Sequence, residues 1–231
     1  MPLQRLHNDL LAAYGSQGWW PLHSHDGSNP TKTGACRGYH PGDYSFPRTD
    51  AERFEICLGA ILTQNTNWMN VEKAIVNLSR LKALDAKRLL KLDEATIKDA
   101  IRPAGYYNQK TKKLRIFAEF YLTQKGKQPT REQLLELWGI GPETADSMLL
   151  YAYHVPVFVV DAYTKRLLIS LKLANEKTTY EAMQRLFHDQ LPADHELFNE
   201  YHALIVEHAK RLKAGTATTL HLYKHRDSRR A

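Results

Sequence analysis

Cysteine is scarce in this chain: only Cys36 and Cys57 occur in 231 residues. Cys57 falls inside an apolar helical pattern, where a buried thiol is the plain expectation. So few thiols argue against a disulfide framework and against a zinc or iron-sulfur site built from cysteine. Long apolar runs are missing too. No stretch approaches the span of a bilayer, and the opening MPLQRLHNDLLAAYG has no continuous apolar core of signal-peptide length. A soluble, cytoplasmic chain with no membrane partner is expected. Internal repeats and low-complexity blocks are also lacking.

What is present is an ordinary apolar content of 43% on a chain long enough to bury a substantial core, as one domain or two packed lobes. The formal charge is +7, and part of it lies in a basic tail, YKHRDSRRA, at residues 223–231. That balance suits a polyanionic partner, although a solvated terminus explains the tail equally well.

Nearly every patterned segment has helical period. Phe54, Cys57, Leu58, Ile61 and Leu62 share one face, as do Val71, Ala74, Ile75 and Leu78. Leu114, Phe117 and Tyr121 predict another helix, and Phe198, Tyr201, Ile205 and Leu212 a long late one. The expected class is all-α. Residues 23–50 have no period and concentrate glycine, proline and polar residues, which predicts a long loop, either a lid or an insertion.

The run LWGIGPETADSMLLYA breaks a helix and restarts it at once. Thr130 and Gln133 form a capping-box pattern, Leu134, Leu137 and Trp138 give the helix that follows an apolar face, and that helix ends at Gly139. Pro142 suits the first turn of a second helix with Ala145, Met148, Leu149 and Ala152 on its apolar face. The glycine hairpin between them leaves backbone N–H groups open to a phosphate. From glycine spacing alone a simple helix-helix corner is the better reading. VPVFVVDAYTKRLL then delivers Asp161 to the start of another helix as an N-cap, a place where a carboxylate stays ionised.

LWGIGPETA followed by VFVVDAYTKRLL, with GAILTQNT and GYYNQK upstream, resembles the helix-hairpin-helix (HhH-GPD) DNA glycosylases of the endonuclease III superfamily. The resemblance covers about residues 50–212. It implies an all-α, two-lobed fold with the active-site cleft between the lobes: residues 46–155 as the central lobe, with the helix-hairpin-helix at about 130–153, and residues 1–45 and 156–231 as the terminal lobe. It implies that Asp161 is the catalytic carboxylate, facing developing oxocarbenium charge on the sugar. Gly139, Ile140, Gly141, Glu143 and Thr144 would hold the DNA backbone, Gln64 would fill the space left by the flipped nucleotide, and Tyr106 would wedge into the opposite strand.

Bifunctional members carry a lysine where this chain has Glu143, so the resemblance implies base removal without lysine-dependent lyase activity. Many relatives end in a four-cysteine iron-sulfur loop, whereas here Leu212 stands near the first ligand position and no cysteine follows. No cofactor is expected, apart from a monovalent cation that the hairpin could hold. His202, His208, His221 and His225 match no compact metal motif and read as scattered surface histidines. The implied partner is double-stranded DNA with a damaged base, met by a monomer.

WWP, LTQNTNW and IRPAGYYNQK look most like the 3-methyladenine DNA glycosylase branch, which carries Trp19, Trp20, Pro21 and Trp68 over as walls of an aromatic base pocket. A cationic methylated purine gains about 0.5–2 kcal/mol against such faces. Two departures are visible: the long loop after WWP, which could displace the tryptophans, and Leu204 where some alkyl-base enzymes have a polar residue. The rivals are a thymine, uracil or adenine mismatch glycosylase of the same fold, and a non-catalytic lesion-binding protein.

Overall fold

The structure is a computed structural model that describes residues 2–31 and 37–217. Among these residues it is helical, with no strand. The helices are α1 (Pro2–Tyr14), α2 (Asp50–Leu62), α3 (Trp68–Arg80), α4 (Ala86–Lys91), α5 (Glu94–Ile101), α6 (Tyr107–Gln124), α7 (Arg131–Leu135), α8 (Pro142–Tyr153), α9 (Ala162–Ser170), α10 (Tyr180–His188) and α11 (His195–Lys213), with a short 3-10 turn at Arg102–Ala104. The basic tail from residue 223, with His221 and His225, lies outside the described residues.

Local chemistry starts most of these helices. Thr49 and Thr130 form reciprocal capping boxes with Glu52 and Gln133, and Asn67, Asp85, Asp93, Asp161, Thr179 and Asp194 each accept a backbone N–H at a helix start. Helix α2 is buried without interruption from Phe54 to Leu62 and packs along α8. A helix apolar all round belongs inside a protein. Helices α3 to α6 pack around that pair, while α1 and α9 pack on α11, which also touches α8. Around Phe158 the core is aromatic: Phe187 stacks on it at 3.6 Å, and Phe198 and Tyr201 meet it edge-on.

Residues 23–31 and 37–49 contain neither helix nor strand, yet they are pinned to the helices. Glu55 accepts the His23 N–H at 2.6 Å, and Glu200 accepts the Tyr44 hydroxyl and the Gln17 N–H, each at 2.7 Å. Burial pushes the Glu55 carboxyl up to about 7. His23 and Tyr44 tie the described parts of this segment to α2 and α11.

The first helix of the hairpin is shorter than its apolar spacing predicts. Its regular part ends at Leu135, and Trp138 is 48% exposed instead of facing the core. The indole ring gains a different partner: the Lys112 ammonium lies 4.3 Å from its centroid.

Candidate active site

The hairpin conformation explains its glycines. Gly139 has φ +82°, and a Cβ there would lie 2.4 Å from Cε of Lys113. A side chain at 139 would be strained and crowded at once. Gly141 caps α8 without any side-chain bond, and a Cβ built there meets nothing within 4 Å. Pro142 opens α8, Ile140 anchors the turn in the core, and Thr144 is buried. The N–H groups opening α8 are therefore approachable from outside.

Gln64 is drawn into this hairpin. Its Nε2 donates to Gly139 O at 3.1 Å and to Thr144 Oγ1 at 2.9 Å, while Lys113 Nζ donates to its Oε1 at 2.5 Å. The end of α2 is thus cross-tied to the hairpin, and Gln64 does not project freely. Tyr106 does: it is 63% exposed, with a left-handed backbone (φ 46°) at the start of α6. In the same GYYNQK segment, Lys110 is buried and donates to Leu62 O and Ala104 O, both at 2.8 Å. Desolvation, with Lys113 adding, lowers its amine to about 8. That lysine is a pin joining α2 to the 3-10 turn.

Asp161 arrives on the buried run Val157–Val160 and caps α9, its Oδ1 accepting the Thr164 N–H at 2.7 Å. Its side chain is 15% exposed, and Oδ2 lies 3.7 Å from Nε2 of His202. Burial by itself would raise its pKa. The His202 ring and the Thr164 N–H more than offset this and hold the carboxyl below its ordinary range. Glu143 keeps contact with solvent, but desolvation raises its pKa, the Asp161 charge adds to the rise and His202 opposes it. From α11, desolvation lowers the Lys210 amine against the pull of Glu207 and Asp161.

Two histidines expected on the surface are buried. His202 is 8% exposed and His208 3%, the latter 2.7 Å from the Tyr14 hydroxyl. Among the described residues no three His, Cys, Asp or Glu side chains come together to hold a metal ion. The sequence reading also missed Tyr151, whose hydroxyl lies 2.5 Å from His202 Nδ1. A signal for His202 was there: positions 198, 201, 202 and 205 form one helical stripe, and a histidine among Phe198, Tyr201 and Ile205 belongs inside.

The tryptophans come together in spite of the long loop. Trp20 is buried, Trp19 and Trp68 are half-buried, and the three rings pack at centroid distances of 4.8–5.3 Å. Tyr151 joins them at 5.2 Å from Trp20. The Trp20 ring also explains Gly59, where a Cβ would lie 2.9 Å from the indole Nε1. The Nε1 atoms of Trp19 and Trp68 are buried without a hydrogen-bond partner. Beside this cluster lies a cavity of about 180 Å³ bordered by Pro21, Trp68, Glu55 and Glu72. Tyr151 thus links the aromatic cluster on one side to His202 and Asp161 on the other.

Among the described residues the chain is helical, with a glycine hairpin between α7 and α8 and an aspartate that caps α9. Residues 58–193 match the HhH-GPD superfamily base excision DNA repair proteins, and the chain belongs to that family: it is a DNA glycosylase of base excision repair. A candidate DNA repair glycosylase of Methanocaldococcus jannaschii is 40% identical over 90% of this chain and 87% of its own length. Endonuclease III of Thermotoga maritima is 30% identical over 72% of this chain and 78% of its own. Among solved structures, the H. pylori 3-methyladenine DNA glycosylase bound to 1,N6-ethenoadenine superposes with a TM-score of 0.64, at 27% identity, over 91% of this chain and 94% of the other.

Proposed function

We propose that this protein is a monofunctional glycosylase that releases alkylated bases, 3-methyladenine among them, from duplex DNA. The observation that carries the reading is the cluster of Trp19, Trp20 and Trp68 linked through Tyr151 to the side of Asp161. The solved 3-methyladenine glycosylase that the chain resembles supports it.

A purine methylated at N3 carries positive charge, which aromatic faces favour over a neutral base by about 0.5–2 kcal/mol. Its bond to the sugar is already weak. As that bond breaks, the electron pair leaves with the base, which departs neutral, and positive charge develops on the sugar. The Asp161 carboxylate opposes that charge and accepts a proton from the water that adds to the sugar carbon. In this structure Trp19 and Trp68 meet edge to face at 4.8 Å. Sandwiching a base needs about 7 Å, two carbon contact distances, so the rings part to admit it. Trp68→Ala is expected to weaken excision of alkylated bases more than binding to abasic-site DNA; equal losses in the two assays would remove Trp68 from the pocket.

Glu143 cannot form a Schiff base, and on that ground strand cleavage is not expected. Lys210 favours a second reading, because desolvation lowers its amine pKa, as a nucleophilic lysine needs, although the Glu207 and Asp161 charges pull the other way. Borohydride decides between them. No covalent protein–DNA adduct is expected on reduction, and an adduct lost in Lys210→Met would establish lyase chemistry through that residue.

A further inference from the structure

Asp161 has a partner that its own sequence neighbourhood does not announce. His202 reaches across from α11 with its two ring nitrogens in different settings. Nδ1 lies 2.5 Å from the Tyr151 hydroxyl, and Nε2 faces Asp161 Oδ2 at 3.7 Å. That Nε2 is buried and has no hydrogen-bond partner.

The geometry selects a tautomer. Desolvation raises the Tyr151 pKa well above its ordinary value, with the Asp161 and Glu200 charges adding, so the phenol keeps its proton. A neutral imidazole has one N–H. If Nδ1 held it, the Nε2 lone pair would face a carboxylate, two regions of negative charge with no proton between them. When the tyrosine hydroxyl donates to Nδ1, the proton stands on Nε2 and points its positive end toward Oδ2. Closing the gap by under about 1 Å makes a charge-assisted hydrogen bond.

We propose that His202, held in its Nε2-protonated form by Tyr151, is the positioning residue for Asp161. The Thr164 N–H holds one carboxylate oxygen from α9, and His202 Nε2 faces the other from α11 at 3.7 Å, ready to close on it. Fixed from two elements, the carboxylate keeps its plane and stays ionised while the cleft loses water to the incoming nucleotide. This inference rests on the proposed function, in which Asp161 is the catalytic carboxylate, and adds the residues that prepare it.

The other groups acting on Asp161 are Glu143 and Tyr151 on α8, Lys210 on α11 and Thr164 on its own helix, and none of them is itself substituted in His202→Leu or His202→Gln. A change in Asp161 titration common to these two variants therefore reports on His202. Asp161 is active as the carboxylate, and its lowered pKa carries activity to low pH. Removing the cause of the lowering raises that pKa, so activity disappears at a higher pH as the solution is acidified.

The test is single-turnover excision against pH, on duplex DNA treated with a methylating agent, for wild type, Asp161→Asn, Tyr151→Phe, His202→Leu and His202→Gln, with binding to abasic-site DNA measured alongside. Loss of one hydrogen bond to a charged group corresponds to a rate loss of about 10- to 100-fold. His202→Leu and Tyr151→Phe are expected to lose activity in that range and to shift the acidic limb upward, with abasic-site binding retained. His202→Gln, whose amide nitrogen reaches toward the Nε2 position, should recover part of the rate. Tyr151→Phe preserves the ring and carries the test if His202→Leu does not fold.

Wild-type rates and an unmoved acidic limb in both Tyr151→Phe and His202→Gln would overturn the proposal. So would rate losses with no shift of the limb and no advantage of Gln over Leu, the pattern of a packing role. If Asp161→Asn is inactive while the Tyr151 and His202 variants behave as wild type, only the positioning role falls. If Asp161→Asn excises normally, or wild type releases no base, the catalytic reading falls and this inference with it.

Discussion

Asp161→Asn is expected to lower base excision by about a hundred- to a thousandfold while leaving affinity for lesion-containing DNA nearly unchanged. The side chain keeps its shape, and the amide oxygen can still accept the Thr164 N–H that Oδ1 accepts at 2.7 Å, so α9 retains its cap. What disappears is the negative charge that the proposed mechanism sets against the sugar. Binding a polyanion gains nothing from a carboxylate in the site, so affinity for DNA should hold or rise. Gel-shift binding and single-turnover excision on the same duplex separate the two effects, and parallel losses in both would assign Asp161 a structural role instead.

The largest expected effect on stability comes from Asp146, whose side chain is fully buried. Arg131 grips it with two bonds, Nε to Oδ1 at 2.7 Å and a terminal nitrogen to Oδ2 at 3.2 Å. Gln184 Nε2 donates both to Asp146 Oδ2 at 2.8 Å and to Phe158 O at 2.7 Å. One carboxylate therefore ties α7, α8 and α10 to the segment that delivers Asp161. Asp146→Ala leaves the guanidinium partly buried without its anion, a change that costs about 3–5 kcal/mol. For a chain of this size the unfolding midpoint should fall by about 6–20 °C. A drop of only a degree or two, measured calorimetrically, would show that water or another acceptor takes over the arginine.

These two residues differ in how legible they are from sequence. Asp161 announces itself locally, since an aspartate after an apolar run and before a helical pattern is a cap wherever it occurs. Thr130 with Gln133 and Pro142 after Gly141 are readable for the same reason: short-range chemistry fixes helix starts. Asp146 reads only as a polar residue within a helix, because its partners come from α7 and α10. His202 depends on Tyr151 and Asp161, 51 and 41 positions away, and no local pattern records that meeting.

Other differences follow from tertiary context overriding a local pattern. Trp138 continues the apolar spacing of α7, but the chain leaves the helix after Leu135 to enter the hairpin, and the ring swings out beneath Lys112. Trp19 and Trp20, neighbours in sequence joined by a cis peptide bond, both pack with Trp68 in one cluster. Gln64 sits where an inserting side chain is expected, but its amide satisfies hairpin groups. For it to enter a duplex, those bonds must be exchanged for contacts with the nucleic acid.

Excision of alkylated bases through Asp161 is measured as base release from methylated duplex DNA, with the liberated bases separated by chromatography. Free 3-methyladenine released by wild type, little released by Asp161→Asn, and strands left intact until abasic sites are cleaved by alkali are the predicted results. Tight binding to the same DNA without any released alkylated base would rule out an alkylated-base glycosylase.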